Sequence, residues 1–166
     1  VHNEHEGEGP VRVTFQSGGA ESYDMVVGCD GVHSRTRSLA FGPEPTFARP
    51  LGSMMAIFTI PNVLGLDRTQ LLYTGVRRIA SVKAANDNRA LKVCLIFQVP
   101  PDAGEAFDHD DVDAQRRLTA EMYEGAGWEF PRLLEAMPTA DDFYCDTTCQ
   151  IRMPKLHQGR VVLVGD

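Results

Sequence analysis

The sequence has 166 residues, of which 43% are hydrophobic and 23% are charged, and its formal net charge is −7 at pH 7. This composition predicts about one folded domain and argues against intrinsic disorder and against a nucleic-acid-binding surface. No apolar run has the length of a membrane span, and the four cysteines include no Cys-x-x-Cys pair. We therefore expect a cytoplasmic protein with reduced cysteines and neither a nucleic-acid nor a membrane partner.

The first forty residues predict a β-hairpin that leads into a strand-to-helix turn. Apolar residues alternate with polar ones from Val11 to Phe15, Ser17-Gly18-Gly19 turns the chain, and residues 23–28 return it as a strand. The next residues are an acidic turn and a helix start, so we assign residues 1–40 to one domain.

That turn is the most informative segment. Asp30-Gly31 follows an apolar strand, Ser34 is a good helix N-cap, and Arg37 lies just beyond it. Backbone amides, a carboxylate and the two guanidiniums of Arg35 and Arg37 in one small volume suit a ligand that carries a diphosphate. Arg37 has two open roles: it contacts such a ligand, or it pairs with Asp30 and only braces the fold.

Residues 41–158 are predicted to form a second domain of strands and helices. Strand-like runs cover 54–60, 71–74, 79–84 and 91–99, and the last alternates apolar with polar residues. Two helices follow. Their predicted buried faces are Ala114, Leu118 and Met122 in the first, and Leu133, Leu134 and Met137 in the second.

Residues 142–152 return as a strand, and 159–166 form an apolar strand that re-enters the first domain. The predicted fold class is α+β. It consists of a mixed or antiparallel sheet with helices on one side and part of an α/β domain. We predict no metal site.

Two motifs resemble those of the FAD-dependent aromatic hydroxylases, the para-hydroxybenzoate hydroxylase-like flavoprotein monooxygenases. Gly28-Cys29-Asp30-Gly31-x-x-Ser34-x-x-Arg37 resembles their Asp-Gly fingerprint, and Gly159-Arg160-Val161-x-Leu163-x-Gly165-Asp166 resembles the start of their Gly-Asp fingerprint. The family's N-terminal Gly-x-Gly-x-x-Gly does not occur in this sequence. We therefore expect a central part of a longer enzyme that is inactive by itself.

The resemblance implies a reaction in which the flavin carries the chemistry and no side chain is catalytic. FAD is reduced by NAD(P)H, and a peroxyflavin hydroxylates an aromatic or polyketide-like small molecule. The resemblance implies that residues 1–40 and 159–166 belong to an FAD-binding domain and that 41–158 bind substrate. The expected cofactor-binding residues are Asp30, Gly31, Ser34, Arg37, Gly165 and Asp166.

For the substrate, the residues suggest an apolar sheet surface with two polar groups near the Gly-Asp turn. The expected substrate-binding residues are Met55, Ile57, Phe97, Gln150 and Arg152. Two alternatives remain: a related flavoprotein, such as a halogenase or an isoprenoid reductase, and a non-catalytic binding module without a cofactor.

Overall fold

The computed structural model describes residues 9–99 and 110–165. In chain order the elements are β1 (Val11–Thr14), β2 (Ala20–Tyr23), β3 (Val26–Gly28), α1 (Arg35–Ala40), β4 (Ala48–Pro61), β5 (Gln70–Gly75), β6 (Arg78–Ala85), β7 (Ala90–Gln98), α2 (Val112–Tyr123), α3 (Phe130–Ala136), β8 (Tyr144–Ile151), β9 (His157–Gln158) and β10 (Val161–Leu163). Short 3₁₀ helices cover Glu44–Thr46 and Met137–Thr139. The predicted α+β class, with mostly antiparallel sheet, is confirmed.

The chain divides into two compact units. The first unit comprises the described residues up to Arg49 and those from Cys149 onward, and the second unit spans Pro50–Thr148. The predicted boundaries at 40 and 158 differ from this division because both flanking segments pack within the first unit. The Arg152 amide, for example, donates to the Phe47 carbonyl oxygen at 2.9 Å. The assignment of FAD binding and substrate binding to separate domains stays a prediction.

The first unit contains two small sheets. Strands β1 and β2 form an antiparallel hairpin, whereas β3 pairs in parallel with β10, which also pairs with β9. The prediction of one return strand over 23–28 is therefore wrong at its start. Exposed Ala20–Tyr23 completes the hairpin, and Val26–Gly28 finds a separate partner in the apolar β10. The predicted return of the last strand to the first region is confirmed by this pairing.

The second unit is built on a five-stranded sheet with strand order β5-β6-β7-β4-β8. Residues alternate between its two faces, so every second side chain is buried from Met54 to Ile60 in β4 and from Leu91 to Phe97 in β7. The buried face packs with residues of α2 and α3 into one core. Its largest fully buried side chains are Tyr123, Phe58, Phe97, Phe130, Met54, Ile60, Leu91, Leu95 and Leu133.

Helix α2 begins where the acidic run predicted, with the Asp111 side chain accepting from the Ala114 amide. The predicted Leu118 and Met122 are only partly buried against the core, whereas the most buried residues of this helix are Gln115, Thr119 and Tyr123. Their polar atoms find partners inside the unit. The Thr119 hydroxyl donates to the Gln115 carbonyl oxygen, and the Tyr123 hydroxyl lies 2.7–2.8 Å from the carbonyl oxygens of β6 and β7 residues.

Within the described ranges, no helix combines the length and the hydropathy that crossing a membrane requires.

Candidate functional site

The site lies in the first unit, where two parallel strands end side by side. Strand β3 ends at Gly28 and β10 ends at Leu163, and the Val164 amide donates to the Gly28 carbonyl oxygen at 2.9 Å. Gly28 is buried, and a Cβ there would lie 2.7 Å from Leu163 Cδ2 and 2.8 Å from Thr36 Cγ2. Only glycine therefore allows the strand, its neighbour and helix α1 to approach this closely. In open α/β sheets, ligands bind just beyond such carboxyl ends.

Asp30 is fixed by the helix start that follows it. Its carboxylate accepts from the Ser34 hydroxyl at 2.6 Å and from the Thr36 amide at 2.9 Å. Partial burial raises the pKa of Asp30, but the hydrogen bonds from Ser34 and Thr36 outweigh it and the pKa is lowered. The carboxylate is thus ionised at neutral pH. The Thr36 side chain and the Asp30 backbone also lower this pKa by hydrogen bonding to the carboxylate.

Arg37 is the buried cation of this region, with a side chain that is 3% exposed. Its Nη2 donates to the Glu44 carboxylate at 2.7 Å and to the Val32 carbonyl oxygen at 2.6 Å. Its own amide donates to the Ser34 hydroxyl oxygen, which caps α1 as the sequence predicted. Of the two roles left open for Arg37, the pairing with Asp30 is not the one seen here, because Glu44 supplies the countercharge.

A cavity of about 220 Å³ lies against these residues. Its polar side is formed by the turn after β3, and its apolar side by the segments before and after β10. The lining residues are Gly28, Asp30, Gly31, Val32, Ser34, Arg37, Ile151, Met153, Leu156, Leu163, Val164 and Gly165. Gly31 and Gly165 have φ angles of 77° and 152°, and a Cβ at either would meet no atom within 4 Å. Both glycines therefore leave backbone open to a ligand.

The structure brings most of the predicted cofactor-binding residues together. Asp30, Gly31, Ser34, Arg37 and Gly165 all line this one cavity, although Gly165 is 128 positions beyond Arg37 in the sequence. Asp166 lies outside the described residues. Whether these residues bind a cofactor stays a prediction.

The predicted substrate-binding residues are not brought onto one surface. Phe97 pairs with Met54 and is fully buried among the core residues, whereas Met55 and Ile57 lie on the other face of the sheet. The expectation that all three share a surface is wrong because side chains of neighbouring strand positions alternate between faces. Gln150 and Arg152 are both exposed and hydrogen-bond each other at 2.8 Å.

A second cavity, of about 290 Å³, lies in the second unit at the turn between β5 and β6. It combines apolar Ile79, Ile96 and the predicted substrate-binding residue Phe97 with polar groups, among them Arg77 and Gln98. The Arg77 guanidinium donates to the Gln98 side chain at 3.1 Å. Sequence reasoning missed this group because the turn residue Arg77, with a φ angle of 60°, meets Gln98 only through the pairing of β6 with β7.

Glu44 was missed as well. Its segment has the composition of a linker, Phe41-Gly42-Pro43-Glu44-Pro45, and nothing in that pattern indicates that its carboxylate lies on a buried arginine. Its other oxygen lies 2.9 Å from His33 Nδ1, so Glu44 bridges two residues of the turn region.

Comparison with known proteins places this geometry in context. No family profile matches the chain. An uncharacterized protein of Mycobacterium tuberculosis is 43% identical over 157 residues, and a flavin-dependent monooxygenase from an unknown prokaryotic organism is 35% identical over 161 residues. These alignments cover 94% and 97% of this chain. The resemblance to the flavin-dependent monooxygenases is confirmed.

A solved structure agrees with these relatives. The crystal structure of tetracycline destructase Tet(55) superposes with a TM-score of 0.80 at 31% identity, and covers 96% of this chain and 42% of its own. The chain spans about two fifths (41%) of the length of the curated relatives it matches. The activity of the whole protein is therefore a matter of proposal.

Proposed function

We propose that this chain forms the Asp-Gly turn, the Gly-Asp strand and the substrate-binding part of an FAD-dependent monooxygenase. The observation that carries the proposal is the cavity at the carboxyl ends of β3 and β10, which collects residues of both motifs. The similarity to flavin-dependent monooxygenases supports it independently.

The residues around the cavity fit the chemistry of FAD. Asp30 is an ionised carboxylate in the wall of the cavity, and a carboxylate accepts from hydroxyl groups such as the ribose and ribityl hydroxyls of FAD. Gly31 and Gly165 leave room for the close approach of a ligand to the backbone. The apolar wall of Ile151 and Leu163 suits a flat ring system. Arg37 has a structural role at the cavity, because its Nη2 already donates hydrogen bonds to Glu44 and Val32.

When bound, FAD would accept electrons from NAD(P)H and activate dioxygen, so that one oxygen atom enters the substrate and the other leaves as water. The chain's own contribution is to bind and orient. Asp30 would hold hydroxyl groups of the cofactor, and Ser34 and Thr36 keep the carboxylate in place. The apolar wall would exclude water from the same side.

For the substrate, we propose the second cavity and the neighbouring open face of the sheet. Met55 and Ile57 lie half-buried on the face that the helices do not cover, and Ile79 and Ile96 lie on that face in the adjoining strands. With Arg77 and Gln98 at the edge, the surface suits an aromatic or polyketide-like molecule with a carbonyl or anionic oxygen. The roles of Gln150 and Arg152 in orienting the substrate stay proposals.

The test uses the protein as its gene encodes it, purified, supplied with FAD and NADPH or NADH, and screened against phenolic and polyketide substrates under ¹⁸O₂. A monooxygenase yields a product that is heavier by one ¹⁸O atom and oxidises NAD(P)H in a substrate-dependent way. Flavin binding with NAD(P)H oxidation but without labelled product across the panel would favour a related flavoprotein, such as a reductase. A protein that binds no flavin would overturn the proposal in favour of a binding module.

We also propose a cytoplasmic location. The four cysteines at positions 29, 94, 145 and 149 all lie among the described residues and form no disulfide bond there, as in proteins of reducing compartments.

A further inference from the structure

The inference concerns Glu44, a residue that lies outside the cavity and outside both motifs. Its carboxylate makes the ion pair with Arg37 at 2.7 Å and the contact with His33 at 2.9 Å. The Glu44 side chain is 29% exposed, whereas that of Arg37 is 3% exposed. Glu44 is therefore the link between a buried charge and the solvent-facing side of the turn.

Arg37 requires this partner. A buried guanidinium without a countercharge is strongly unfavourable, because its desolvation is no longer offset. Within the described part of the chain, no other carboxylate forms an ion pair with Arg37. Its Nε makes no hydrogen bond there either, so the Nη2 contacts with Glu44 and Val32 hold the side chain in place.

The contacts continue from Arg37 into the cavity. Its Nη2 holds the Val32 carbonyl oxygen, and its amide holds the Ser34 hydroxyl, which in turn donates to Asp30. Val32, Ser34 and Asp30 all line the cavity, whereas Glu44 does not. Glu44 is thus connected to the cavity wall through the Arg37 guanidinium and the Val32 carbonyl oxygen, and the Arg37 backbone joins the same side of the turn through Ser34.

We propose that Glu44 is a positioning residue for the cofactor: by neutralising Arg37 it holds the turn from Asp30 to Ser34 in the conformation that binds FAD. This inference rests on the proposed function, in which the same cavity binds FAD. Glu44 does not line the cavity, so it would affect FAD binding only through its ion pair with Arg37.

The experiment compares FAD affinity and thermal stability in the protein as its gene encodes it. Glu44→Gln removes the charge and keeps the shape, Glu44→Asp keeps the charge, and Glu129→Gln is the matched control. Glu129 forms an exposed pair with Arg132 at 3.3 Å in the second unit. FAD dissociation constants are measured by flavin fluorescence well below each variant's unfolding temperature.

We expect Glu44→Gln to raise the FAD dissociation constant at least about tenfold, which corresponds to about 1.4 kcal/mol. Glu44→Asp should recover most of the affinity, and Glu129→Gln should bind as the wild type does. If Glu44→Gln lowers only the unfolding temperature and leaves FAD affinity within about twofold, Glu44 merely stabilises the fold and the inference is wrong. Unchanged affinity and stability would overturn it equally.

A double variant keeps the test decisive if Glu44→Gln does not fold. Arg37→Met with Glu44→Met removes both charges, and such apolar replacement of a buried pair usually preserves folding. The inference expects weak FAD binding in this variant, whereas wild-type affinity would contradict it. The wild-type titration separates the two proposals: a wild type that binds no FAD refutes the proposed function itself, and a wild type that binds FAD leaves the variants to judge Glu44.

Discussion

Different kinds of interaction stabilise the interiors of the two units. Among its described residues, the second unit has a core of sixteen buried side chains from the sheet, from α2 and α3, and from the residues near them. Among the described residues of the first unit, only Val11, Phe47 and Val161 are buried hydrophobic side chains. Its interior instead includes the polar side chains of Ser34 and Arg37, which are connected by hydrogen bonds and an ion pair.

This difference implies a division of roles. Apolar packing tolerates many changes of detail, so the second unit can offer a stable sheet whose open face varies. A polar network depends on each partner, since an unsatisfied buried group is costly. We therefore expect substitutions in the second core to act mainly on stability, and substitutions around Asp30 and Arg37 to act on cofactor binding as well.

The largest effect on stability is expected at Phe97, and its size tests whether this side chain belongs to the core. Phe97→Ala should lower the free energy of unfolding by about 3–5 kcal/mol, because it empties a fully buried ring position. Urea denaturation followed by circular dichroism measures this loss. Ile57→Ala, on the half-buried opposite face, is the comparison and should cost clearly less. Equal losses at the two positions would contradict the assignment of the faces.

Arg37→Lys is expected to come next. Lysine keeps the positive charge but loses the planar guanidinium whose Nη2 reaches both Glu44 and Val32, so stability should fall by about 2 kcal/mol. The control is Arg35→Lys, an exposed position in the same helix, where the change should stay within about 0.5 kcal/mol. Both are measured by urea denaturation. If Arg37→Lys left the free energy of unfolding unchanged, the buried network would not stabilise the first unit.

Tyr123→Phe tests the polar exception inside the apolar core. The hydroxyl donates toward the carbonyl oxygens of Ile79 and Ile96, and burial raises the pKa of Tyr123 well above its ordinary value. Its removal should cost about 1–2 kcal/mol with no change in FAD affinity. A gain in stability on substitution would mean that these bonds do not offset the burial of the hydroxyl.

The smallest effect is expected at Asp142, on the surface of the second unit. Hydrogen bonds from Lys92 and then Thr59 hold the pKa of Asp142 at about 2, below its ordinary value of 3.8. A lowered pKa stabilises the folded state above the ordinary value, and this contribution is lost as the pH falls from about 4 to about 2. Because the side chain is 47% exposed, the contribution should be below about 1 kcal/mol.

Asp142→Asn is the measurement for this group. The wild type should lose its advantage over the variant between pH 5 and pH 2, when the two are compared by urea denaturation at each pH. A difference that persists at low pH would show that the carboxylate charge is not its source.

The contrast between the units also explains what the sequence could predict. The alternation of apolar and polar residues in β4 and β7 is a local pattern, and it predicted the sheet. The acidic residues before α2 are also a local pattern, and they predicted where this helix begins. The two motifs likewise predicted the turn, the cap at Ser34 and the returning strand, because each rests on residues close in sequence.

Three features could not be predicted because they depend on tertiary contacts. The buried face of α2 carries Gln115 and Thr119, and only the surrounding packing shows that polar side chains are satisfied there. Glu44 gained its role through an ion pair with Arg37 rather than through any helix or strand pattern. The placement of Phe97 on the face opposite to Met55 and Ile57 could not be foreseen, because a sequence does not show which face of a sheet an apolar residue occupies.

The most direct test of the central claim is the FAD affinity of Asp30→Asn, compared with that of Asp142→Asn, in the protein as its gene encodes it. Both variants remove one carboxylate charge, but only Asp30 lines the cavity of the first unit. Loss of a charge-assisted hydrogen bond should raise the FAD dissociation constant at least about tenfold for Asp30→Asn. Asp142→Asn should bind FAD as the wild type does. Wild-type affinity in a folded Asp30→Asn variant would contradict the placement of FAD in this cavity.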